Sequence, residues 1–324
     1  MCAIPAGWVL SEWLRSWLCT GRPWLNIANS QIDRTLAGYI PVLGVYGTGW
    51  LLALLPALLL AWLKNQQRLI SVTLLLTVLV AGVLLDRVQW STPRGEAIQV
   101  SLVQGNISQE DKWAPENLLS TISRYSDLTF GEQVSDLTIW PETAIPAFHD
   151  QVNDSFIAYL ETELQKSGAS LLTGIPVLDR QHWNYYNAVI TLGGEQACYY
   201  KQHLVPYGEY LPLRGVIGNA LNALAVPNAD FSSGTDSQPL LLAAGYPVAT
   251  SICYEVVFGE QIIKALPEAA MLVNVSNDAW FGDSLAPHQH LEMARMRAKE
   301  TARPMLRATN TGISAIIDDR GRIT

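Results

Sequence analysis

The sequence predicts an α/β domain preceded by transmembrane α-helices, and three observations support this prediction. Only 15% of the 324 residues are charged, against about 25% in a typical soluble domain, and the deficit lies in residues 1–90. Beyond that part, strand-like apolar runs alternate with segments of helical spacing, as in a sheet covered by helices. Polar residues stand at several strand ends, where open α/β folds bind ligands. We therefore expect a membrane part at 1–90, a linker at 91–96 and a globular domain at 97–324.

The composition excludes some classes of partner. The net charge is −8 and the sequence has no basic stripe, so we expect no nucleic-acid partner. The cysteines are scattered, without a CxxC pair or a zinc spacing, and we therefore expect no metal and no cofactor. They are Cys2, Cys19, Cys198 and Cys253.

Two long uncharged runs predict membrane-spanning helices. Residues 36–63 contain no charged side chain, and at about 1.5 Å per residue they exceed the roughly 30 Å of a bilayer core. Residues 69–85 are also uncharged and are near the lower limit for a span. The alternative is a buried hairpin of a soluble protein, which two such runs in succession disfavour. Residues 6–18 are apolar at helical spacing and predict an interfacial helix or the end of a membrane helix.

The loop between the two runs predicts their orientation. It carries Lys64 and Arg68, and positively charged loops stay in the cytoplasm. The second span then delivers everything after Arg87 to the outer side. The globular domain is therefore expected outside the cytoplasm.

The first half of the globular domain shows clear periodicity. Strands are predicted at 98–103, 137–140, 170–173, 188–192 and 198–201, and helices at 117–130 and 156–166. Gly168 is the expected stop of the second helix, and Gly193-Gly194 is the expected turn between the last two strands.

The second half begins with a segment that has no clear period. Residues 208–238 predict a long loop with one helix near 217–224, and such loops are usually functional. The remaining strands are predicted at 240–243, 248–252, 271–275, 306–309 and 314–317, and the helices at 256–266 and 288–301.

Cys253 follows the predicted strand 248–252 and precedes the predicted helix 256–266. A thiol at such a turn lies at a sheet edge near helix N–H groups, which favour its thiolate and display it as a nucleophile. The alternative is a buried structural cysteine, as most lone cysteines are.

Glu142 and Lys201 also stand at predicted strand ends. Separately, each is an ordinary surface residue type, but with Cys253 they supply a base, a cation and a thiol. A free thiol is only slightly ionised near neutral pH and needs a base, and a carboxylate of raised pKa suits that role. A lysine ammonium can stabilise the oxyanion of a tetrahedral intermediate. The three residues together predict thiol-based acyl transfer.

Four separated motifs resemble the nitrilase, or carbon–nitrogen hydrolase, superfamily in the family's order. They are WPETAIP at 140–146, YKQHLVPYGE at 200–209, ICYE at 252–255 and NDAWFG at 277–282. Because they follow membrane spans, they resemble its membrane-attached branch, the apolipoprotein N-acyltransferases. The stretches 21–26 and 103–107 extend the resemblance over nearly the whole chain.

The resemblance implies a nitrilase-like αββα sandwich and a Glu-Lys-Cys triad. Glu142 would be the general base, Lys201 the oxyanion stabiliser and Cys253 the nucleophile. Further matches are an active-site carboxylate, an acidic position after the cysteine and two aromatic positions near the acyl or acceptor site. They are Glu209, Glu255, Trp113 and Tyr254. For the two aromatic residues ordinary packing is the alternative.

The implied reaction has two halves. Cys253 takes the sn-1 acyl chain of a phospholipid, typically phosphatidylethanolamine, and the thioester then acylates the N-terminal amine of a diacylglyceryl-cysteine apolipoprotein. The implied location is the bacterial inner membrane, multi-pass, with the catalytic domain on the periplasmic side. Both substrates stay in the lipid bilayer because each buried CH₂ contributes about 0.8 kcal/mol. Apolar loops at 211–227 would admit the acyl chains.

Two other functions stay open from the sequence. The same triad serves a membrane-tethered amide hydrolase that uses water as acceptor. Family members carry membrane helices before the first residue of this chain, and strands and a membrane helix beyond its last. The chain is therefore expected to be a fragment, and an inactive lipid-binding envelope protein is the third possibility.

Overall fold

The computed structural model describes residues 2–65, 67–131, 134–211 and 231–324. The strands are β1 Val100–Leu102, β2 Leu137–Ile139, β3 Ser170–Asp179, β4 Asn184–Leu192, β5 Cys198–Tyr200, β6 Leu241–Ala243, β7 Tyr246–Ile252, β8 Met271–Ser276, β9 Met305–Thr309 and β10 Ala315–Ile317. The α-helices are α1 Ala3–Trp17, α2 Ile40–Leu63, α3 Arg68–Leu85, α4 Gln109–Lys112, α5 Leu118–Phe130, α6 His149–Val152, α7 Ala158–Ser167, α8 Gly259–Ile262 and α9 Ala286–Thr301. The predicted helix at 217–224 and residues 212–227 of the expected acyl-chain loops lie outside the described residues.

The strands form two five-stranded sheets, ordered β1-β2-β3-β4-β5 and β10-β9-β8-β7-β6. In the first sheet β1, β2 and β3 are parallel, and β4 and β5 continue it with antiparallel pairs. In the second sheet the central strands β7, β8 and β9 are parallel, and β6 and β10 pair antiparallel at its two edges. Parallel neighbours place their carboxyl ends at one edge, as in other α/β folds. Polar residues at those ends are thereby gathered at one side of the molecule.

The two sheets pack face to face through apolar side chains that alternate along the strands. Leu137 and Leu172 of one sheet share this core with Val248 and Val273 of the other. Helices α5 and α7 cover the outer face of the first sheet, and α8 and α9 that of the second. The predicted αββα sandwich is confirmed.

The predicted helix 256–266 is wrong in its continuity. A 3₁₀ turn at Cys253–Val257 is followed by the single turn of α8 and a second 3₁₀ turn at Ile263–Ala265. Phe258 breaks the run because its backbone is non-helical, at φ −93° and ψ 87°. Its buried ring stacks on His203 with ring centroids 3.7 Å apart, so tertiary packing overrides helical spacing here.

The N-terminal part contains two long apolar helices where membrane spans are predicted. The helical stretch Ala37–Leu63 and α3 are sufficient in length and hydropathy to cross a membrane. Gly44 interrupts α2 at φ 63° and ψ −171°, and the Glu300 carboxylate of α9 accepts a hydrogen bond from the Val45 N–H just after the break (2.6 Å). The division of the chain at residues 91–96 stays a prediction.

Candidate active site

Glu142, Lys201 and Cys253 lie together between strand ends of both sheets. Glu142 follows β2 and Lys201 follows β5 of the same sheet, whereas Cys253 follows β7 of the other sheet. Lys201 Nζ lies 3.5 Å from Glu142 Oε1, and the charges of both residues act on the pKa of Cys253. The structure thus brings the three predicted residues into one site.

Hydrogen bonds orient both carboxylate oxygens of Glu142. Oε1 accepts a bond from Asn187 Nδ2 (2.8 Å), and Oε2 accepts one from the Asn277 backbone N–H (2.9 Å). The Glu142 carbonyl accepts a third bond from Lys112 Nζ (3.0 Å). A carboxylate has about four acceptor positions, so Glu142 keeps lone pairs with which to take a proton.

Lys201 is held between two carboxylates. Its Nζ donates to Glu209 Oε1 (2.7 Å), and Asn187 Nδ2 reaches both Glu209 (3.2 Å) and Glu142. Burial by itself lowers the pKa of Lys201, but the charges of Glu209 and Glu142 outweigh it, and the pKa is raised. The ammonium is therefore a permanent cation at physiological pH. The predicted neighbour Glu209 is part of the site.

The Cys253 backbone adopts a left-handed conformation at φ +52°, which costs on the order of 1–3 kcal/mol in a residue with a side chain. Its carbonyl oxygen offsets this cost by accepting bonds from Asn274 Nδ2 (3.3 Å) and His290 Nε2 (3.2 Å).

The predicted thiolate at Cys253 is not the resting state. Burial and the negative charge of Glu142 raise the pKa of the thiol to about 12, and Lys201 offsets this only in part. The long helix predicted after Cys253 does not offset these effects, because a 3₁₀ turn follows the thiol and α8 begins only at Gly259. Cys253 is a thiol near neutral pH and depends on a base.

A buried polar network lies beneath the Cys253 turn. Asp278 Oδ1 lies 3.0 Å from His290 Nδ1, and Asp278 Oδ2 accepts a bond from Arg307 Nη2 (2.9 Å). Arg307 also donates to the Asn274 side chain. Burial and the charge of Arg307 lower the pKa of His290. A neutral His290 donates its Nε2–H to the Cys253 carbonyl while Nδ1 accepts from Arg307 Nη2 at 3.0 Å.

Glu255 joins the segment after Lys201 to the strand before Cys253. Its buried carboxylate accepts bonds from the backbone N–H groups of Ile252 (2.7 Å), Gln202 (2.6 Å) and His203 (3.1 Å). Burial raises the pKa of this carboxyl although the N–H donors oppose the shift. Glu255 therefore positions the two chain segments.

The two predicted aromatic residues lie in different surroundings. Tyr254 donates to the Gly21 carbonyl (3.4 Å) and stacks on Trp24 with ring centroids 6.3 Å apart. Trp113 directly follows α4 and is 49% exposed. Their contribution to an acyl or acceptor site stays a prediction.

Sequence reasoning did not identify Lys112, Asn187, His290 or Arg307 as site residues. Asn187 directly precedes the predicted strand 188–192. A polar side chain beside a buried strand predicts a hydrogen-bonding partner, because buried amides are usually hydrogen-bonded, and this could have identified Asn187 as a candidate. Lys112 lies in the polar segment Gln109–Lys112, and lysine is almost never fully buried. No periodicity marks it.

Comparisons with known proteins assign the two parts of the chain separately. The carbon–nitrogen hydrolase model matches residues 99–324, and the model of the apolipoprotein N-acyltransferase N-terminal domain matches residues 1–58. Apolipoprotein N-acyltransferase of Methylococcus capsulatus is 52% identical over 98% of this chain, and that of Nitrosomonas europaea is 47% identical over 99%. The chain spans 64% and 65% of the length of these relatives.

Solved structures support the fold. The chain resembles XC1258 of Xanthomonas campestris, a CN-hydrolase superfamily protein, with a TM-score of 0.51 and 19% identity over 71% of this chain and 86% of that one. Nit3 of Saccharomyces cerevisiae, a member of the nitrilase superfamily, gives a TM-score of 0.52 and 20% identity over 70% and 84%. At these identities the likeness is one of fold.

Proposed function

The chain belongs to the carbon–nitrogen hydrolase family, in the branch of the apolipoprotein N-acyltransferases, and from this we propose that it carries out lipoprotein N-acylation. The acyl chain comes from a membrane phospholipid, typically phosphatidylethanolamine. The acceptor is the N-terminal amine of a diacylglyceryl-cysteine apolipoprotein. The observation that supports this most is the cluster of Glu142, Lys201 and Cys253 in a chain whose N-terminal part also matches this branch.

In the first half-reaction, Cys253 attacks the sn-1 ester carbonyl of the phospholipid. Glu142 takes the thiol proton, an S–C bond forms, and Lys201 stabilises the oxyanion. The intermediate collapses with loss of the C–O bond, and the glycerol oxygen takes the proton from Glu142. A thioester and a lysophospholipid result. The raised pKa of Cys253 makes the neighbouring base necessary.

In the second half-reaction, the neutral amine of the apolipoprotein attacks the thioester carbonyl. A C–N bond forms, Glu142 takes a proton from the nitrogen, and the C–S bond breaks. The Cys253 thiolate then recovers the proton from Glu142, so the enzyme is unchanged. Water in place of the amine would give hydrolysis, and the acceptor therefore determines the outcome.

The bilayer is the place where both substrates are found. The helical stretch Ala37–Leu63 and α3 supply the membrane attachment, and Lys64 with Arg68 places their connecting loop in the cytoplasm. The catalytic domain then lies on the periplasmic side of the inner membrane. The Cys253 thiol then faces the same side of the membrane as the lipid-modified N-terminal cysteine of the apolipoprotein acceptor.

A labelled acyl chain tests the proposal directly. The membrane-embedded protein is incubated with phosphatidylethanolamine carrying a labelled sn-1 chain, with and without a diacylated Cys-peptide, and mass spectrometry locates the label. We expect a thioester on Cys253 that moves to the peptide amine. Cys253→Ala should abolish both signals, because the nucleophile is lost.

Cys198→Ala is the matched control. Burial raises the pKa of Cys198 to about 11, and its side chain packs against the core of the first sheet, so its removal should leave transfer intact. Label found only in free fatty acid would contradict the transferase and support the amide-hydrolase type of chemistry. Labelling that is equal in Cys253→Ala and the unchanged protein would contradict the assignment of the nucleophile.

A further inference from the structure

A second lysine, Lys112, is buried beside the triad. It ends α4 and is only 3% exposed. Its Nζ donates a hydrogen bond to the Glu142 carbonyl at 3.0 Å, the one bond that this ammonium makes to the described residues. Since an ammonium has three donors and is costly to bury, this placement calls for a reason.

The two lysines of the site differ in their direct partners. Lys201 lies 2.7 Å from Glu209 and 3.5 Å from Glu142, so nearby carboxylates compensate its charge. Lys112 is hydrogen-bonded to a neutral carbonyl. A charge whose direct partner is neutral acts more strongly on negative charge that develops near it in a poorly solvated site.

The helix that carries Lys112 also supports the other side of Glu142. Gln109, at the start of α4, accepts a bond from Asn277 Nδ2 (2.8 Å). Asn277 in turn donates its backbone N–H to Glu142 Oε2 (2.9 Å). A single helical turn thereby holds the backbone and, through Asn277, the carboxylate of the proposed base.

We propose that Lys112 is a positioning residue whose ammonium holds the Glu142 main chain and stabilises the negative charge that arises when Cys253 is acylated. The inference rests on the proposed function, because that charge arises in the acylation step. The thiol proton moves to Glu142 and the ester oxygen becomes the oxyanion, while Lys112 keeps its own protons throughout. Lys201 and Lys112 share the charge stabilisation.

The charge on Lys112 makes the step dependent on pH. Burial lowers the pKa of Lys112 to about 8, although the charges of Glu142 and Cys253 oppose the shift. Around Cys253, the other charged groups are Lys201 and Asp278. The pKa of Cys253 is raised to about 12 and that of Lys201 is also raised, whereas the pKa of Asp278 is lowered. Lys112 is therefore the group expected to lose its charge as the pH rises past about 8.

The experiment compares Lys112→Met and Lys112→Arg with the unchanged protein in nanodiscs. The single-turnover rate of thioester formation from labelled phosphatidylethanolamine is measured from pH 6 to pH 9.5. We expect Lys112→Met to be slower by about tenfold or more at pH 7, since it lacks the charge. The unchanged protein should slow above about pH 8, and Lys112→Arg should not, because arginine stays charged. Lys166→Met removes an exposed lysine and should match the unchanged protein.

A rate for Lys112→Met equal to that of the unchanged protein would overturn the inference, as would the same alkaline decline in Lys112→Arg. If Lys112→Met does not fold, the pH profile of Lys112→Arg decides. A separate assay measures alkylation of Cys253 by chloroacetamide at pH 7, which needs no lipid. If the unchanged protein forms no thioester, the proposed function fails. In that case, slower alkylation in Lys112→Met than in Lys112→Arg supports the role of Lys112, and equal alkylation overturns it.

Discussion

At the scale of single residues, the Cys253 turn is held through its main-chain carbonyl by the side chains of His290 and Asn274. These two side chains each accept a bond from Arg307, which in turn pairs with Asp278. The two terminal nitrogens of Arg307 are hydrogen-bonded in this network, as most buried polar groups are. These hydrogen bonds therefore hold the backbone of Cys253 in its left-handed conformation.

The neutral state of His290 predicts a pH dependence of stability. Its pKa is lowered from 6.5 in the folded chain by burial and by Arg307, so the unfolded chain binds the extra proton. Stability is then fully present above pH 6.5 and falls as the pH drops below it, by up to roughly 1.4 kcal/mol per pH unit. Thermal unfolding in detergent should show a midpoint that falls from pH 8 to pH 5.5.

His290→Gln should reduce that fall, because glutamine can donate to the Cys253 carbonyl without titrating. His203, whose pKa burial also lowers, remains in the variant and keeps part of the effect. His288 is exposed, and His288→Gln should leave the pH dependence unchanged. The same midpoint shift in His290→Gln and the unchanged protein would refute the neutral-histidine account.

At the scale of elements, β3 determines where Glu142, the proposed base, lies. Gly174 of β3 lies against the chain around Glu142, and a Cβ at that position would meet the Pro141 carbonyl at 2.5 Å and Glu142 Cα at 2.7 Å. Glycine inside a strand often marks such a close backbone approach. The segment of Glu142 therefore packs directly on the backbone of its neighbouring strand.

Gly174→Ala should displace Glu142 while the sheet still forms. We expect thioester formation from labelled phospholipid to slow by roughly 100-fold, because misplacement of a catalytic group by about 1 Å can have that effect. Gly194→Ala is the matched control, since a Cβ there would have no neighbour within 4 Å. If both variants acylate Cys253 at the unchanged rate, the close approach of Gly174 does not position the base.

At the scale of the whole molecule, α9 connects the site to the helices of the N-terminal part. His290, near its start, contacts the Cys253 carbonyl. Near its end, Lys299 pairs with Asp86 just after α3 (2.8 Å), and Glu300 accepts a bond from Val45 N–H of α2 (2.6 Å). Helix α9 thus contacts the Cys253 turn at one end and both apolar helices, or residues next to them, at the other.

The proposed orientation has the globular domain on the side of the membrane opposite to the loop that carries Lys64 and Arg68. Two variants test the orientation after the exposed Cys2 and Cys19 are changed to serine. In spheroplasts, an impermeant maleimide should label Lys166→Cys on the catalytic domain but should label Asn65→Cys only after the membrane is permeabilised. Labelling of Asn65→Cys in intact spheroplasts would reverse the proposed orientation.

The sequence by itself determined the layout of the chain. Periodicity reports which face of a segment is buried, so the α/β alternation, most strands and the apolar helices were predictable. The ends of strands also identified Glu142, Lys201 and Cys253 as candidates. The prediction of a helix at 256–266 was wrong because Phe258 leaves the helical conformation to pack on His203. The spacing of apolar residues along the chain does not show which distant residues a side chain contacts.

Only the tertiary structure decided which groups meet. Glu142 and Lys201 come from one sheet and Cys253 from the other, and contacts such as Asn187 with Glu142 join residues 45 positions apart. The protonation states followed from the same assembly: burial raised the pKa of Cys253 and lowered that of Lys112. Desolvation and nearby charge depend on every element packed around a group. The sequence therefore identified the candidate residues, whereas packing determined how they share protons and charge.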